Sequence, residues 1–352
     1  MKVLYVNEDR HENILLACAN PENQNVYIIP RKINGLPDVQ NRQHVVKSFS
    51  KLYPNHRYNL FYRLKLMLEI KKIADEENPD IIHFVSADEY VRLFGVGLSL
   101  LKKYHVILEM HWCVQSRMRN LSRKILYKKI DEFIFHVANI PKEINKRSEY
   151  VILPAEHEEV YSKSISRKDL NISSEKIVIS MVGSMEKYKG VDILLKALQS
   201  VKSDFYLILG GDFKSYREEE IMEMVRTYRE NVLLLKGYVK DEIFLKSICA
   251  SDYVMIPYRK SFEATSGPMT EAIRCGVPII ASNHGNVGYL TKKYHLGYTF
   301  KAEDAQDLST VLEKAITKKF KCDEKYNEYK EQISRKAFRD NLKKIYKKVI
   351  EG

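Results

Sequence analysis

The chain has 352 residues, 45% of them hydrophobic, which is more than one ordinary core requires and enough for two domains. Its formal net charge of +12 points to an anionic partner: nucleic acid, anionic lipid or a phosphorylated substrate. Five cysteines (Cys18, Cys113, Cys249, Cys275 and Cys322), odd in number, far apart and without a C-x-x-C pair, exclude a disulfide framework and a cysteine metal site and read as reduced thiols of a cytoplasmic protein.

In chain order, strand-like runs fall at Lys2 to Val6, Val26 to Ile29, Ile81 to Val85, Val106 to Met110, Phe133 to Val137 and Val151 to Leu153, separated by longer helical stretches. No leader is read before the first run, and no apolar run approaches the roughly 20 residues of a membrane span. The polar segment Ala155 to Lys176 reads as a linker. Beyond it the alternation restarts at Ile177 to Val182 and continues at Phe205 to Leu209, Val232 to Leu235, Tyr253 to Ile256 and Val277 to Ala281. Alternation of this kind predicts two doubly wound α/β domains, at 1–165 and 166–335, with an amphipathic closing helix over 336–352. Ligands of such sheets sit beyond the carboxyl ends of the strands, so a cleft between the domains is the expected site.

Two stretches of the first domain combine cations with apolar residues. Leu101 to Ile130 holds eight basic residues against the single acid Glu109, and Arg57 to Ile73 sets Arg63, Lys65, Lys71 and Lys72 among Leu60, Phe61, Leu64, Leu66 and Met67. Both read as basic amphipathic helices, suited either to covering the sheet with a solvated back or to lying on an anionic bilayer surface. No nucleic-acid-binding module accompanies the charge, so nucleic acid is not expected as a partner.

The richest stretch for chemistry is Arg259 to Leu290. Glu263 and Glu271 are separated by seven residues, Ser266, Gly267 and Pro268 among them. Ser266 or Gly267 caps a helix that Pro268 can enter without loss, and Gly276 stops it before an apolar, β-branched strand. A helix start offers unpaired N–H groups and partial positive charge, which suit a phosphate or pyrophosphate. A glutamate in a first turn also simply stabilises the helix dipole, so the weight rests on the composite. No G-x-x-x-x-G-K-[ST] or G-x-G-x-x-G loop is present, nor any pair of aspartates one residue apart, so no metal clamp for a diphosphate is expected. Lys189-Gly190, after the strand end Val182-Gly183-Ser184 and before a helix, offers a cation to a phosphate.

This composite resembles the E-x7-E region of retaining GT-B glycosyltransferases, particularly family 4. The landmarks Gly210-Gly211-Asp212, Gly237-Tyr238-Val239 and Ser251-Asp252 follow the family's order, and Arg339 to Tyr346 resembles its terminal segment. The resemblance implies the GT-B fold: two Rossmann-like doubly wound domains facing a central cleft, with the C-terminal helix packing back toward the first. It implies that Gly183, Lys189, Ser266 and Gly267 hold the donor diphosphate, that Tyr238 and Val239 border the base, and that Glu271 bonds the ribose hydroxyls. Glu263 would face the sugar, and His111, at the end of the Val106 to Met110 run, resembles the family's cleft histidine; His83 reads as a core residue. Two departures stand out. Ser184 occupies the place of the family's diphosphate arginine, leaving Lys187, Arg259 or Lys260 to replace it, and Asn7-Glu8-Asp9-Arg10-His11 replaces a glycine-rich loop.

The expected activity is transfer of a sugar from a nucleoside-diphosphate sugar, a UDP-sugar, to a glycan or lipid-linked glycan acceptor, with retention and without a metal, in cell-surface polysaccharide synthesis. It is placed in the cytoplasm, peripheral on the inner face of the membrane. A non-catalytic GT-B subunit and a sugar-nucleotide epimerase are the alternatives.

Overall fold

The computed structural model describes residues 1–8, 12–37, 42–46, 59–113, 116–138 and 147–352. They form two compact units, Met1–Glu156 with Ser334–Gly352, and His157–Ile333. Asp9, Arg10, His11, Arg57 and Tyr58 lie outside the described residues.

The first unit holds a seven-stranded sheet: β1 (Lys2–Val6), β2 (Gln24–Ile29), β3 (Gln43–Val45), β4 (Ile81–Phe84), β5 (His105–Met110), β6 (Glu132–Phe135) and β7 (Ser148–Tyr150), in the order β3-β2-β1-β4-β5-β6-β7. Every pairing is parallel. Successive side chains of a strand point to opposite faces, so Leu4, Val6, Ile82 and Phe84 join one core with the helix Leu60–Glu77, while Val3, Tyr5, Ile81 and Ile107 join the other. The closing helix Arg335–Glu351 covers this second face with Phe338, Leu342, Ile345, Tyr346 and Val349. Arg339 fastens it, donating to the carbonyls of Ala17 (3.1 Å) and Leu16 (2.8 Å) at the end of the helix Glu12–Cys18.

The second unit repeats the logic with six parallel strands: β8 (Val178–Val182), β9 (Tyr206–Gly211), β10 (Val232–Lys236), β11 (Tyr253–Ile256), β12 (Ile279–Ser282) and β13 (Gly297–Phe300), ordered β10-β9-β8-β11-β12-β13. In both sheets the chain reverses direction of travel after its first strand has gained one neighbour series, between β1 and β4 and between β8 and β11. Crossovers leave a gap above the strand ends at such a point.

Three expectations need correction. Leu101 to Ile130 is not one helix: it contains the buried β5, and only Arg117–Leu126 is helical. Val151 to Leu153 is not a strand. β6 pairs instead with Ser148–Tyr150, and the apolar run buries its side chains beyond the sheet, because hydrophobicity reports burial and not pairing. The segment Ala155 to Lys176 contains the helix Lys163–Asp169, which Arg167 ties into the second unit through Ala250 O (2.9 Å) and Asp252 (2.8 Å).

Because Phe338 is fully buried against the first sheet, Phe338→Ala is expected to cost about 3–5 kcal/mol in urea unfolding of the full chain; a change within error would show that the closing helix does not complete that core.

Candidate functional site

The helix Gly267–Arg274 starts as its sequence demands. Ser266 is the N-cap, its Oγ accepting from Met269 N (3.3 Å), and Pro268 occupies the first turn. At the other end Gly276 adopts φ +76° and bonds Ile273 O (3.0 Å), after which Val277 N reaches Ala272 O (2.9 Å) and β12 begins.

Beside this helix start lies the end of β8. Gly183 has φ +123°, and a Cβ there would stand 3.7 Å from Pro268 Cγ. Gly211, at the end of β9, has φ +152°, and a Cβ there would fall 1.7 Å from Gly183 O, so only glycine lets the two strand ends approach. Lys189 donates from Nζ to Tyr258 Oη (3.2 Å), and the same hydroxyl lies 3.0 Å from Ser266 Oγ. One chain of hydrogen bonds thus joins an ammonium to the cap of a helix N-terminus. Burial works against the charged form of Lys189, but its tyrosine and Glu186 surroundings outweigh this and raise its pKa. Positive charge and helix dipole meet at one place.

The other cations named from the sequence are held elsewhere. Arg259 binds Asp192 (2.5 Å) and Lys187 O (3.0 Å), Lys187 stands 3.8 Å from Asp192, and Lys260 stands 4.0 Å from Glu303. Ser184 is exposed. Lys189 is therefore the lysine that the structure brings to the helix start.

Glu271 is 1% exposed. Its Oε1 accepts from His157 N (3.0 Å) and His157 Nδ1 (3.2 Å), and its Oε2 from Arg274 Nε (3.0 Å). Burial pushes its carboxyl up, and the His157 and Arg274 contacts more than offset this, leaving it below the ordinary glutamate value. His157 and Arg274 escaped the sequence reading; His157 lies in the polar stretch taken as a linker, and the only signal for Arg274 was its place one turn beyond Glu271. Glu263 is half-buried, and its Oε2 is buried without a hydrogen-bond partner among the described residues. Tyr238 is 83% exposed, with its hydroxyl 3.4 Å from Asp241, and Val239 is half-buried beside it. Gly237 N bonds Gly211 O (3.1 Å), so this loop adjoins the same strand ends.

His111 belongs to the first unit. It follows β5, is 6% exposed, and its Nε2 lies 2.9 Å from Val85 O; a carbonyl only accepts, so Nε2 carries the proton. Asp88 accepts from His111 N (3.2 Å) and Trp112 N (3.0 Å). A cavity of about 300 Å³ adjoins, lined by Asp88, Arg92, Met110, Trp112, Arg119 and Arg123 among others.

Below His111 lies a buried node that the sequence reading did not find. Glu109, fully buried, accepts from His136 Nε2 (2.8 Å), with His83 Nε2 at 3.0 Å, Cys18 Sγ at 3.5 Å and His111 Nε2 at 3.6 Å. His136 Nδ1 meanwhile donates to Val151 O (2.8 Å), so both its nitrogens face acceptors, the pattern of an imidazolium beside a carboxylate. Cys18, His83 and Glu109, and Glu109, His111 and His136, are the groups among the described residues whose side chains converge as metal ligands would. Within them His136 and Cys18 hydrogen-bond Glu109, while His83, His111 and the second nitrogen of His136 bond Tyr346, Val85 O and Val151 O. His83 stands fully buried, its Nδ1 2.7 Å from Tyr346 Oη, as expected of a core residue.

Burial pushes the Glu109 carboxyl up, but His136 and His83 outweigh it and hold it well below the ordinary carboxylate range. A carboxyl depressed in the folded state contributes stability above its unfolded pKa, about 4.3, and loses that contribution as pH falls toward the folded value. Wild-type stability should therefore decline as pH drops below that point, and Glu109→Gln should both lower stability at neutral pH by about 3–5 kcal/mol and flatten the decline; equal slopes would count against an ionised Glu109.

Residues 162–336 match the model of the family described as Glycosyl transferases group 1. Protein CapJ of Staphylococcus aureus is 31% identical over 173 residues, 47% of this chain and 42% of CapJ. O-antigen chain mannosyltransferase B of Escherichia coli is 31% identical over 107 residues, 29% of this chain and 27% of that one. The matched part thus spans less than half the length of these two curated relatives. The crystal structure of HepE of Anabaena in complex with UDP matches with a TM-score of 0.72 and 14% identity, over 98% of this chain and 99% of that one. At that identity the likeness is one of fold, the GT-B architecture.

Proposed function

We propose that this chain, a member of the glycosyl transferases group 1 family, transfers a sugar from a UDP-sugar to a glycan or lipid-linked glycan acceptor in cell-surface polysaccharide synthesis, with retention of configuration. The observation that carries the reading is the convergence of Lys189, the Ser266 cap and the Gly267 helix start beside the glycine strand ends Gly183 and Gly211. An ammonium beside the positive end of a helix, where the Gly267 amide remains, stabilises a departing diphosphate, the charge that develops in the transition state. UDP bound to a protein of this fold, and an O-antigen mannosyltransferase among the relatives, support the donor and the setting.

In this reading the ribose hydroxyls bond Glu271, whose carboxylate His157 and Arg274 hold in position. Tyr238 and Val239 border the base. Glu263, with a buried carboxylate oxygen lacking a donor, takes a sugar hydroxyl. His111 is the residue that would position the sugar, and the cavity beside it at Trp112 and Asp88 would take the acceptor. The reaction needs no protein nucleophile: the leaving phosphate oxygen accepts the acceptor's proton as the new bond forms on the same face of the sugar. It also needs no metal, since Lys189 and the helix start supply the countercharge. Action at the cytoplasmic face of the membrane follows from a lipid-linked acceptor.

The non-catalytic reading draws on Ser184 and on the engagement of Arg259 with Asp192, which leave one cation at the helix start. Thermal unfolding with UDP, GDP, ADP, TDP and CMP separates the two. UDP at about 100 times its dissociation constant should stabilise the chain by roughly 2.7 kcal/mol, and Glu271→Ala should lose that gain; no shift with any nucleotide would leave the non-catalytic subunit as the account.

A further inference from the structure

The helix Leu60–Glu77 is apolar on both sides at its N-terminal half. Its inward residues Leu66, Met67, Ile70 and Ala74 sit in the core on one face of the first sheet. Its outward residues are Leu60 (53% exposed), Phe61 (79%), Leu64 (41%) and Leu68 (52%). Positions 61, 64, 65, 68 and 72 fall within one stripe at 100° per residue. An ordinary surface helix would be polar there. Scattered exposed leucines need no explanation, but a contiguous stripe of three large apolar side chains does.

A second helix continues the pattern. Arg117–Leu126 turns Met118 (62% exposed) and Leu121 (49%) outward together with Arg117 and Lys124. The two helices cover the same face of the sheet, since Met67 and Leu126 belong to one core. The turn at Gly95 and Gly97 joins them: a Cβ at Gly97 would strike Met67 and come within 3.8 Å of Leu64, and one at Gly95 would strike Leu126. Their outward stripes therefore lie on one side of the unit. Cations flank them, with Lys65 and Lys72 on the first helix and Arg117, Lys124 and Lys128 on and after the second, all exposed. No acid occurs between Asn59 and Leu68 or between Ser116 and Ile130. Glu69 follows Leu68 directly, and Asp75, Glu76 and Glu77 stand at the far end of the first helix, where Asp75 pairs with Lys71 and Lys103 (2.8 Å) and Lys72 stands 4.0 Å from Glu76.

We infer that this face of the first unit docks on an anionic bilayer, with Phe61, Leu64 and Leu68 inserted at the acyl boundary and Lys65, Arg117, Lys124 and Lys128 against the headgroups. Charge complementarity selects this occupant: the stretches 59–68 and 116–130 carry cations and no acid, which an anionic leaflet attracts and apolar side chains then anchor. This differs from charge attraction alone, because the apolar stripe must carry part of the binding. It is also independent of the donor site, every residue of which named above in the diphosphate cradle lies in the other unit.

The test is co-sedimentation of the full chain with vesicles of phosphatidylcholine alone and of phosphatidylcholine with phosphatidylglycerol, together with the UDP thermal shift and the oligomeric state in solution. The wild type should bind the anionic vesicles, and Phe61→Ser with Leu68→Ser should weaken that binding at least about tenfold while leaving unfolding and the UDP response unchanged. Lys124→Gln with Lys128→Gln should weaken binding and reduce its salt dependence. Equal binding by Phe61→Ser/Leu68→Ser and wild type, no binding by the wild type, or a wild-type dimer that this double variant breaks would each overturn the inference.

Discussion

The second unit is built around the close approach of a helix start to two strand ends. A helix N-terminus leaves backbone N–H groups unpaired, and burying them without partners is costly, so a protein either caps them or presents them to a ligand. Here Ser266 satisfies one of these groups, at Met269, and Pro268 removes another, while Gly267 keeps the approach open. The glycines at 183 and 211 are the condition for this arrangement, since a side chain at Gly211 would collide with the Gly183 carbonyl. Lys189 is drawn in through Tyr258, which ties the cation to the cap itself. The residues proposed to hold the diphosphate thus also meet a local folding requirement.

The first unit uses the same sheet topology for a different end. Its strand ends carry no comparable helix start among the described residues but a buried ionic node, Glu109 with His136, His83 and Cys18, over which His111 is laid. Charges buried together hold their partners to narrow geometries, because a broken contact leaves a charge without solvent. The node therefore supports the His111 ring from below, through the tilted ring of His136 at 4.8 Å, while Val85 O fixes its tautomer. Glu8 plays a similar part at the end of β1, where Arg63 and Tyr90 both bond its carboxylate.

Much of this was legible in the sequence. The helix start was, because capping and proline rules are local: Ser266, Pro268 and Gly276 are each at the position their backbone chemistry requires. The central strands were legible because burial on both faces makes their sequences continuously apolar. The edge strands β3 and β13 were not, since Gln43–Val45 and Gly297–Phe300 are short and only half-covered. Nor was the Glu109 node, whose members come from four separate segments and meet only when the sheet forms; Glu109 alone looked like the lone acid of a basic stretch. His157 was missed for the same reason, its partner Glu271 lying 114 residues away. The outward leucines of 60–77 were legible as an apolar pattern, but which side they faced was not.

The central claim is that Lys189 and the Gly267 helix start bind the diphosphate and not the nucleoside. Calorimetric titration of the wild type and Lys189→Ala with UDP and with uridine separates the two contributions. The account predicts that Lys189→Ala weakens UDP by about tenfold or more, as loss of a charge-assisted contact should, and leaves uridine affinity unchanged. Equal loss for both ligands, or no loss for UDP, would contradict it.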